Sequence, residues 1–404
     1  MNDDACGQGG AFRAGSFVSP APCGSGSGGL RRGYLEKEEG VAGVSGRVYL
    51  DWNATAPVRP EARAAVAAAL EATGNPSSVH AEGRAAKALV EAAREAVAAL
   101  AGCRPQEVIF TSGATEAAGV LSRLPEGHDV LVDPTAHDCL VAHWRGGGAD
   151  AGGGRPGGHT LAMGLANSET GVITDPGAKG ADGWAYGARR ADWLLLDVVQ
   201  AVGRIPFAFA WSGADFAILS AHKIGGPRGV GALILREGLD IEPLLRGGGQ
   251  EKGRRSGTEN VAGIAGFGAA ARAAQAELDA GCWQGVAALR DRLEARVRDA
   301  SPETQVVGLD RPRLPNTACL LTPGWKGETQ VMQMDLAGFA ISAGSACSSG
   351  KVRASRVLQA MGYDETAAAS AIRVSLGVRT TVEDVDRFAE AWIAARARQR
   401  ARAS

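Results

Sequence analysis

Short apolar runs recur between residues 107 and 235, each closing in a polar or glycine-bearing turn. They are EVIF at 107–110, DVLVD at 129–133, HTLAMG at 159–164, DWLLLD at 192–197, FAILS at 216–220 and VGALIL at 230–235. Their length and composition suit strands buried on both faces, and helical stretches alternate with them. This alternation predicts an α/β architecture with a mainly parallel sheet. Upstream, VYLDWNATAP at 48–57 reads as a short strand running into a turn. Two Ala-rich helical stretches follow at 60–73 and 83–100, joined by GNPSSVH. A long Ala-rich helical stretch at 261–300 opens a second unit, which continues through strands near 305–308 and 317–321. Helices near 328–338, 355–361 and 366–370, the strand IRVSL and a helix over 381–397 complete it.

The pattern predicts a large domain over 61–260 and a smaller C-terminal α+β domain over 261–404. The strand and turn at 48–60 are expected to pack with the smaller one. Residues 1–47 lack periodicity and apolar content and read as a disordered low-complexity tail. Asp3 and Asp4 weigh against a targeting segment. The run RGGGADAGGGRPGG at 145–158 has no patterning and reads as a surface loop.

Composition narrows the functional classes. A chain of 404 residues, 45% of them hydrophobic, exceeds what one core usually serves. Lysine and arginine total 43 against 44 acids, a net charge of -1, so no basic field points to nucleic acid and ligands are expected in local pockets. No run of 18 apolar residues predicts a membrane span. The seven cysteines form no CxxC pair, which indicates neither an intrinsic metal site nor a disulfide framework and suits the cytoplasm.

Four strand ends carry candidate chemistry. EVIFTSGATEAAGVL is a strand, a small-residue turn and a helix start, where the amides of Gly113, Ala114 and Thr115 suit a phosphate. An ordinary helix cap would look the same. His137, after DVLVDPTAHD, suits stacking on a ring and moving protons. Asp197, closing DWLLLD, is costly in a buried strand unless it is paired, as with a pyridinium nitrogen, or it is a plain strand-end cap. Gln200 lies within reach of the same ligand. Lys223 follows FAILSAH and precedes a Gly/Pro turn, a setting in which a confined amine forms a Schiff base with an aldehyde. Ser220 and His222 stand beside it, placed to hold a phosphate. Together these features predict pyridoxal 5'-phosphate at the carboxyl edge of the sheet.

With YLDWNATAP, GNPSSVH, FTSGATEA, ANSETG, LDVVQAVGRIP, LSAHKIGGPRGVGAL, RSGTEN, GSACSSG and IRVSLG in place, residues 48–398 resemble the NifS/IscS-type cysteine desulfurases of the class V aminotransferase group. The resemblance implies fold type I with a seven-stranded-type sheet, and a homodimer whose active sites are shared. Thr258 would reach the partner subunit's phosphate. Arg373 would clamp the substrate carboxylate, supported by Asn53 and Asn167. Cys347, within SAGSACSSGK and the expected catalytic loop at 341–353, would take sulfur from L-cysteine as a persulfide, leaving alanine. The persulfide would feed a sulfur acceptor or iron–sulfur scaffold protein, with Cys347 able to ligate a cluster transiently. ANSE places Ser168 where the family has an asparagine contacting the ring hydroxyl. AHK replaces GHK before the lysine, through Ala221, and Gly119 stands where an asparagine is common. Selenocysteine lyase, carbon–sulfur lyase, aminotransferase and an inactive scaffold are the rival readings.

Overall fold

The computed structural model describes residues 46–144, 158–344 and 354–403. They belong to one compact unit that begins at Gly46. The expected tail up to residue 45, the glycine-rich run at 145–157 and Cys347 with residues 345–353 of its loop lie outside the described residues.

The described chain enters through β1 (Val48–Tyr49) and continues into α1 (Pro60–Glu71) and α2 (Ala81–Ala101). Pro60 stands in the first turn of α1, where its missing N–H would have had no helical partner. His80 caps α2 by accepting the Gly83 amide at 3.3 Å. Next come β2 (Val108–Thr111), α3 (Ala114–Ala118), β3 (Asp129–Val132), α4 (Asp138–Val141) and β4 (His159–Gly164). A hairpin of β5 (Trp184–Tyr186) and β6 (Arg189–Ala191) precedes β7 (Trp193–Asp197), α5 (Phe209–Ser212), β8 (Phe216–Ser220) and β9 (Gly231–Leu235).

The main sheet has the order β2-β9-β8-β7-β4-β3. Among the described residues it has six strands where seven were expected. β3, β4, β7 and β8 pair in parallel, and β9 runs antiparallel to both β8 and β2. Five strands therefore point the same way, and their C-terminal ends form one edge. The β5–β6 hairpin was not legible in the sequence, because its strands are only three residues each and β6 is mostly arginine. Trp184 anchors it by burial in the core of the main sheet.

The second half contains α6 (Val261–Asp279), α7 (Cys282–Ala300), β10 (Gln305–Val306), β11 (Thr317–Leu321), α8 (Gly327–Leu336), β12 (Phe339–Ala340) and β13 (Ser342–Ala343). It closes with α9 (Arg356–Ala360), α10 (Glu365–Ala368), β14 (Ala371–Ser375) and α11 (Val382–Ala403). Antiparallel strands in the order β10-β11-β14-β13 form its sheet. β1 pairs in parallel with β12, and Asp51 bridges Ser375, so the opening segment joins this half of the molecule.

The helical stretch at 261–300 is two helices, and they serve different cores. α6 buries Ile264, Phe267, Ala270, Ala271 and Ala274 in the core of the main sheet, whereas α7 buries Trp283, Val286, Leu293 and Val297 in that of the second. The change of core thus falls between α6 and α7, later than the break expected at 261. Gly268 lets α6 approach α2, since a Cβ there would lie 2.5 Å from the Ala93 Cα.

Gly231 performs a similar service for the site. A Cβ on it would lie 2.5 Å from the Leu219 carbonyl oxygen and 2.7 Å from the Gly113 Cα, both unyielding backbone. The turn after β2 can therefore rest against β9 only because this strand residue has no side chain. Gly231→Ala should lower unfolding free energy by about 2 kcal/mol or more, measured by urea denaturation.

Candidate active site

The common edge of β2, β3, β4, β7 and β8 opens onto a cleft of about 710 Å³. Its walls include Ala114 and Thr115 after β2, His137 after β3, Asn167 and Ser168 after β4, and Asp197 and Gln200 after β7. Ser220, His222 and Lys223 follow β8, while Asn53 and Arg373 come from the other half of the molecule. Of the fourteen residues expected at the site these twelve converge. Thr258 is exposed and does not line this cleft, and Cys347 lies outside the described residues.

β8 ends at Ser220, and the chain tightens into a single 3-10 turn over Ala221–Lys223. That turn aims Lys223 back at the opening segment. Its Nζ donates to the carbonyl oxygens of Asn53 at 2.7 Å and Ala54 at 2.9 Å. Gln200 donates to the same Asn53 carbonyl at 3.0 Å, and its Oε1 accepts from Arg204. The amide of Gln200 is thus committed to the protein, holding the acceptor that Lys223 uses.

Asn53 is almost fully buried, and every polar group of its side chain is engaged. Its Nδ2 donates to the Ser168 carbonyl at 3.1 Å and to Thr317 Oγ1 at 2.9 Å, while its Oδ1 accepts from Asn316 Nδ2 at 3.0 Å. Asn167 is similarly occupied. Its Oδ1 accepts the amides of Glu169 and Thr170, both at 2.9 Å, and its Nδ2 donates to the Thr135 carbonyl at 2.9 Å. In this arrangement both asparagines shape the walls of the cleft.

Asp197 accepts the Val199 amide at 3.0 Å. Burial pushes its carboxyl up, against the pull of His137, the Val199 amide and Lys223. A cationic N–H placed against it would relieve that cost. His137 accepts the Cys139 amide on Nδ1 at 3.2 Å, which assigns the proton of the neutral ring to Nε2. His222 stands 3.2 Å from Thr55 Oγ1, and burial, with the charges of Lys223, Arg228 and Arg204, lowers its pKa to about 4. It is a neutral partner at physiological pH.

At the turn after β2, the first helical amides of α3 face the cleft region, as the first turn of any helix leaves its N–H groups without helical acceptors. Glu116 fastens this turn, accepting the Ser112 amide at 2.8 Å and pairing with Arg255 at 2.9 Å. Arg255 belongs to the segment that carries Thr258.

Arg373 is held in place by Asp51 at 2.8 Å and by the Ser168 carbonyl at 3.1 Å. Its Nε is buried with no acceptor, a donor suited to an anionic ligand. Ser168 thus acts here through its carbonyl as well as through its position in the wall.

Three groups were missed in the sequence. Asp51 orients Arg373, and only the fold brings them together. Cys139 lines the cleft, but burial raises its thiol against the help of His137. Burial likewise pushes Cys103 and Cys319 up to about 12, so none of these three is poised as a thiolate. The third is Glu169, which bonds Ser355 and lies so near Gly344 that a Cβ there would be 3.2 Å from its Oε2.

Burial raises Glu169 to about 7. The Ser355 hydroxyl, Arg373 and Arg356 oppose the shift, and Asp138 adds to it. Above pH 4.5 an unfolded glutamate has given up its proton while the folded one retains it to about pH 7. Stability therefore falls as pH rises through that window. Glu169→Gln should remove this dependence, so that the wild-type Tm falls relative to the variant by roughly 2–4 °C between about pH 5 and about pH 8. Parallel Tm profiles for the two proteins would contradict the assignment.

Residues 48–147 and 159–388 match the family described as aminotransferase class-V. A cysteine desulfurase of Cereibacter sphaeroides is 40% identical over 374 residues, spanning 85% of this chain and 94% of that protein. An IscS-like cysteine desulfurase of Mycobacterium tuberculosis is 34% identical, over 87% of this chain and 97% of its own. The solved structure of a NifS-like protein from Rickettsia africae superposes with a TM-score of 0.73 at 29% identity, over 86% of this chain and 98% of that one.

Proposed function

The chain belongs to the class-V aminotransferase family, on the branch of the NifS/IscS-like cysteine desulfurases, and from that membership and the cleft we infer how it removes sulfur from L-cysteine. The products are L-alanine and an enzyme-bound persulfide, which we place on Cys347. The observation that carries the reading is the meeting of Lys223, Asp197 and Arg373 in one cleft.

The residues present fit pyridoxal 5'-phosphate. A carboxylate that burial makes costly suits its ring nitrogen, the amides of Ala114 and Thr115 with Ser220 and His222 suit its phosphate, and Lys223 suits its aldehyde. His137 suits a face of the ring, and Ser168 and Gln200 line the same cleft. When bound, this cofactor supplies an electron sink that makes the Cα proton of the substrate acidic.

Arg373 binds the substrate carboxylate, using the Nε that the protein leaves without an acceptor. Asn53 and Asn167 keep that end of the cleft in shape. The Lys223 amine removes the Cα proton once it leaves its two carbonyl acceptors. Asp197 keeps the ring-nitrogen proton in place. His137 serves the substrate sulfur through Nε2. The Cys347 thiolate then attacks that sulfur, forming an S–S bond as the substrate C–S bond breaks. Sulfur moves from one thiol to another, so cysteine and enzyme thiol become alanine and persulfide with no external oxidant.

We further place the enzyme in the cytoplasm as a homodimer. Thr258, exposed and outside its own cleft, would serve the phosphate of the neighbouring subunit. The persulfide would pass to an acceptor or scaffold protein for iron–sulfur cluster or thio-cofactor assembly.

Lys223→Ala should lower alanine formation from L-cysteine by at least about a thousandfold and remove the visible absorbance of the purified protein. Retained absorbance would contradict the role of the lysine. Cys139→Ala should keep the persulfide within about twofold of wild type, because that thiol is not a nucleophile. A persulfide mapped by mass spectrometry to Cys139 would overturn its assignment to Cys347.

A further inference from the structure

A second cavity, of about 20 Å³, shares Lys223 with the cleft and otherwise has its own walls, among them Trp52, Arg59, Arg204, Trp283 and Arg379. Arg204 is only 3% exposed. It donates to the Gln200 carbonyl at 2.8 Å, to Gln200 Oε1 and to the Lys223 carbonyl at 3.1 Å. All three acceptors are neutral, and among the described residues Arg204 has no carboxylate partner. Arg59 is different, being paired with Glu277 at 2.7 Å. A guanidinium has five N–H groups, so these bonds leave Arg204 with donors to spare. The indole Nε1 of Trp283, another wall residue, is buried with no acceptor. Arg379, on the same wall, is exposed to solvent.

The side chains around this space thus bring donors and positive charge, and none of those lining it is acidic. A buried cation without a counter-charge is strongly unfavourable. Burial and the nearby Arg373 push Arg204 down to about 9, which still leaves it charged at neutral pH. We propose that the cavity binds one monatomic anion of halide size, held by Arg204 and the Trp283 indole, with Arg379 on its solvent side. The volume is enough for a single particle of about that size. A water would fill the space but leave the charge uncompensated. Because Arg204 also holds the Lys223 carbonyl, such an anion would sit behind the lysine turn and balance the charge there.

Bromide is the probe. Crystals of the full chain soaked in bromide, with diffraction measured at the bromine edge, should show an anomalous peak in this cavity against Arg204 and Trp283. In solution, chloride should raise Tm by roughly 1–2 °C over gluconate at equal ionic strength, and saturably. Arg204→Met should abolish that increment and Arg379→Gln should reduce it. If Arg204→Met does not fold, Trp283→Phe keeps an aromatic ring, removes the donor and should weaken the bromide peak. A cavity holding only water in bromide-soaked crystals, or equal Tm in the two salts, would overturn the proposal.

Discussion

Two carbonyl oxygens, those of Asn53 and Ala54, receive the Lys223 ammonium or amine, and the rest of the site is arranged around that contact. The lysine comes from the main sheet and its acceptors from the opening segment, which is tied to the second sheet. Asn53 makes the tie. Its amide donates to Ser375 Oγ, and its side chain reaches Asn316, Thr317 and the Ser168 carbonyl. A buried asparagine with all its side-chain hydrogen-bonding groups engaged is geometrically demanding, and losing any one partner would strand a polar group. The lysine position is therefore specified by both halves of the molecule.

The same constraint explains how charge is distributed in the cleft. Asp197 is carried into low dielectric by a strand whose other residues are apolar, while Arg373 is brought by β14 and kept in register by Asp51. A carboxylate that needs a cation and a guanidinium that still has a donor to give stand in one cavity, with the lysine between elements that hold them. This separation lets one end of a bound ligand be cationic and the other anionic. Glu169, neutral or charged according to pH, adds a group sensitive to conditions beside Arg373.

Much of this was legible in the chain itself. The apolar runs ending in Asp197 and Ser220 placed both residues at a sheet edge, because parallel strands in one sheet share their C-terminal side. The long helical stretch misled on one point. Alanine-rich sequence does not announce which core it serves; the burial of Ile264 and Phe267 and the close fit of Gly268 on Ala93 assign α6 to the main sheet. The pairing of Asp51 with Arg373, separated by more than three hundred positions, follows from the bridge between Asp51 and Ser375 and has no local signature. Asn53, Asn167 and Gln200 were expected to touch ligand. Their hydrogen bonds are spent within the protein, since side chains that wall a cleft must first satisfy their own buried groups. Cys139 escaped notice because nothing in DCLV distinguishes a wall thiol from core filler.

The division of labour between lysine and cysteine is tested most directly with L-cysteine deuterated at Cα and the Cys347→Ala protein. Loss of the label to solvent at a rate near that of the wild type, without release of alanine, is the result this account predicts. Release of alanine by that variant at the wild-type rate, or retention of the label, would contradict it.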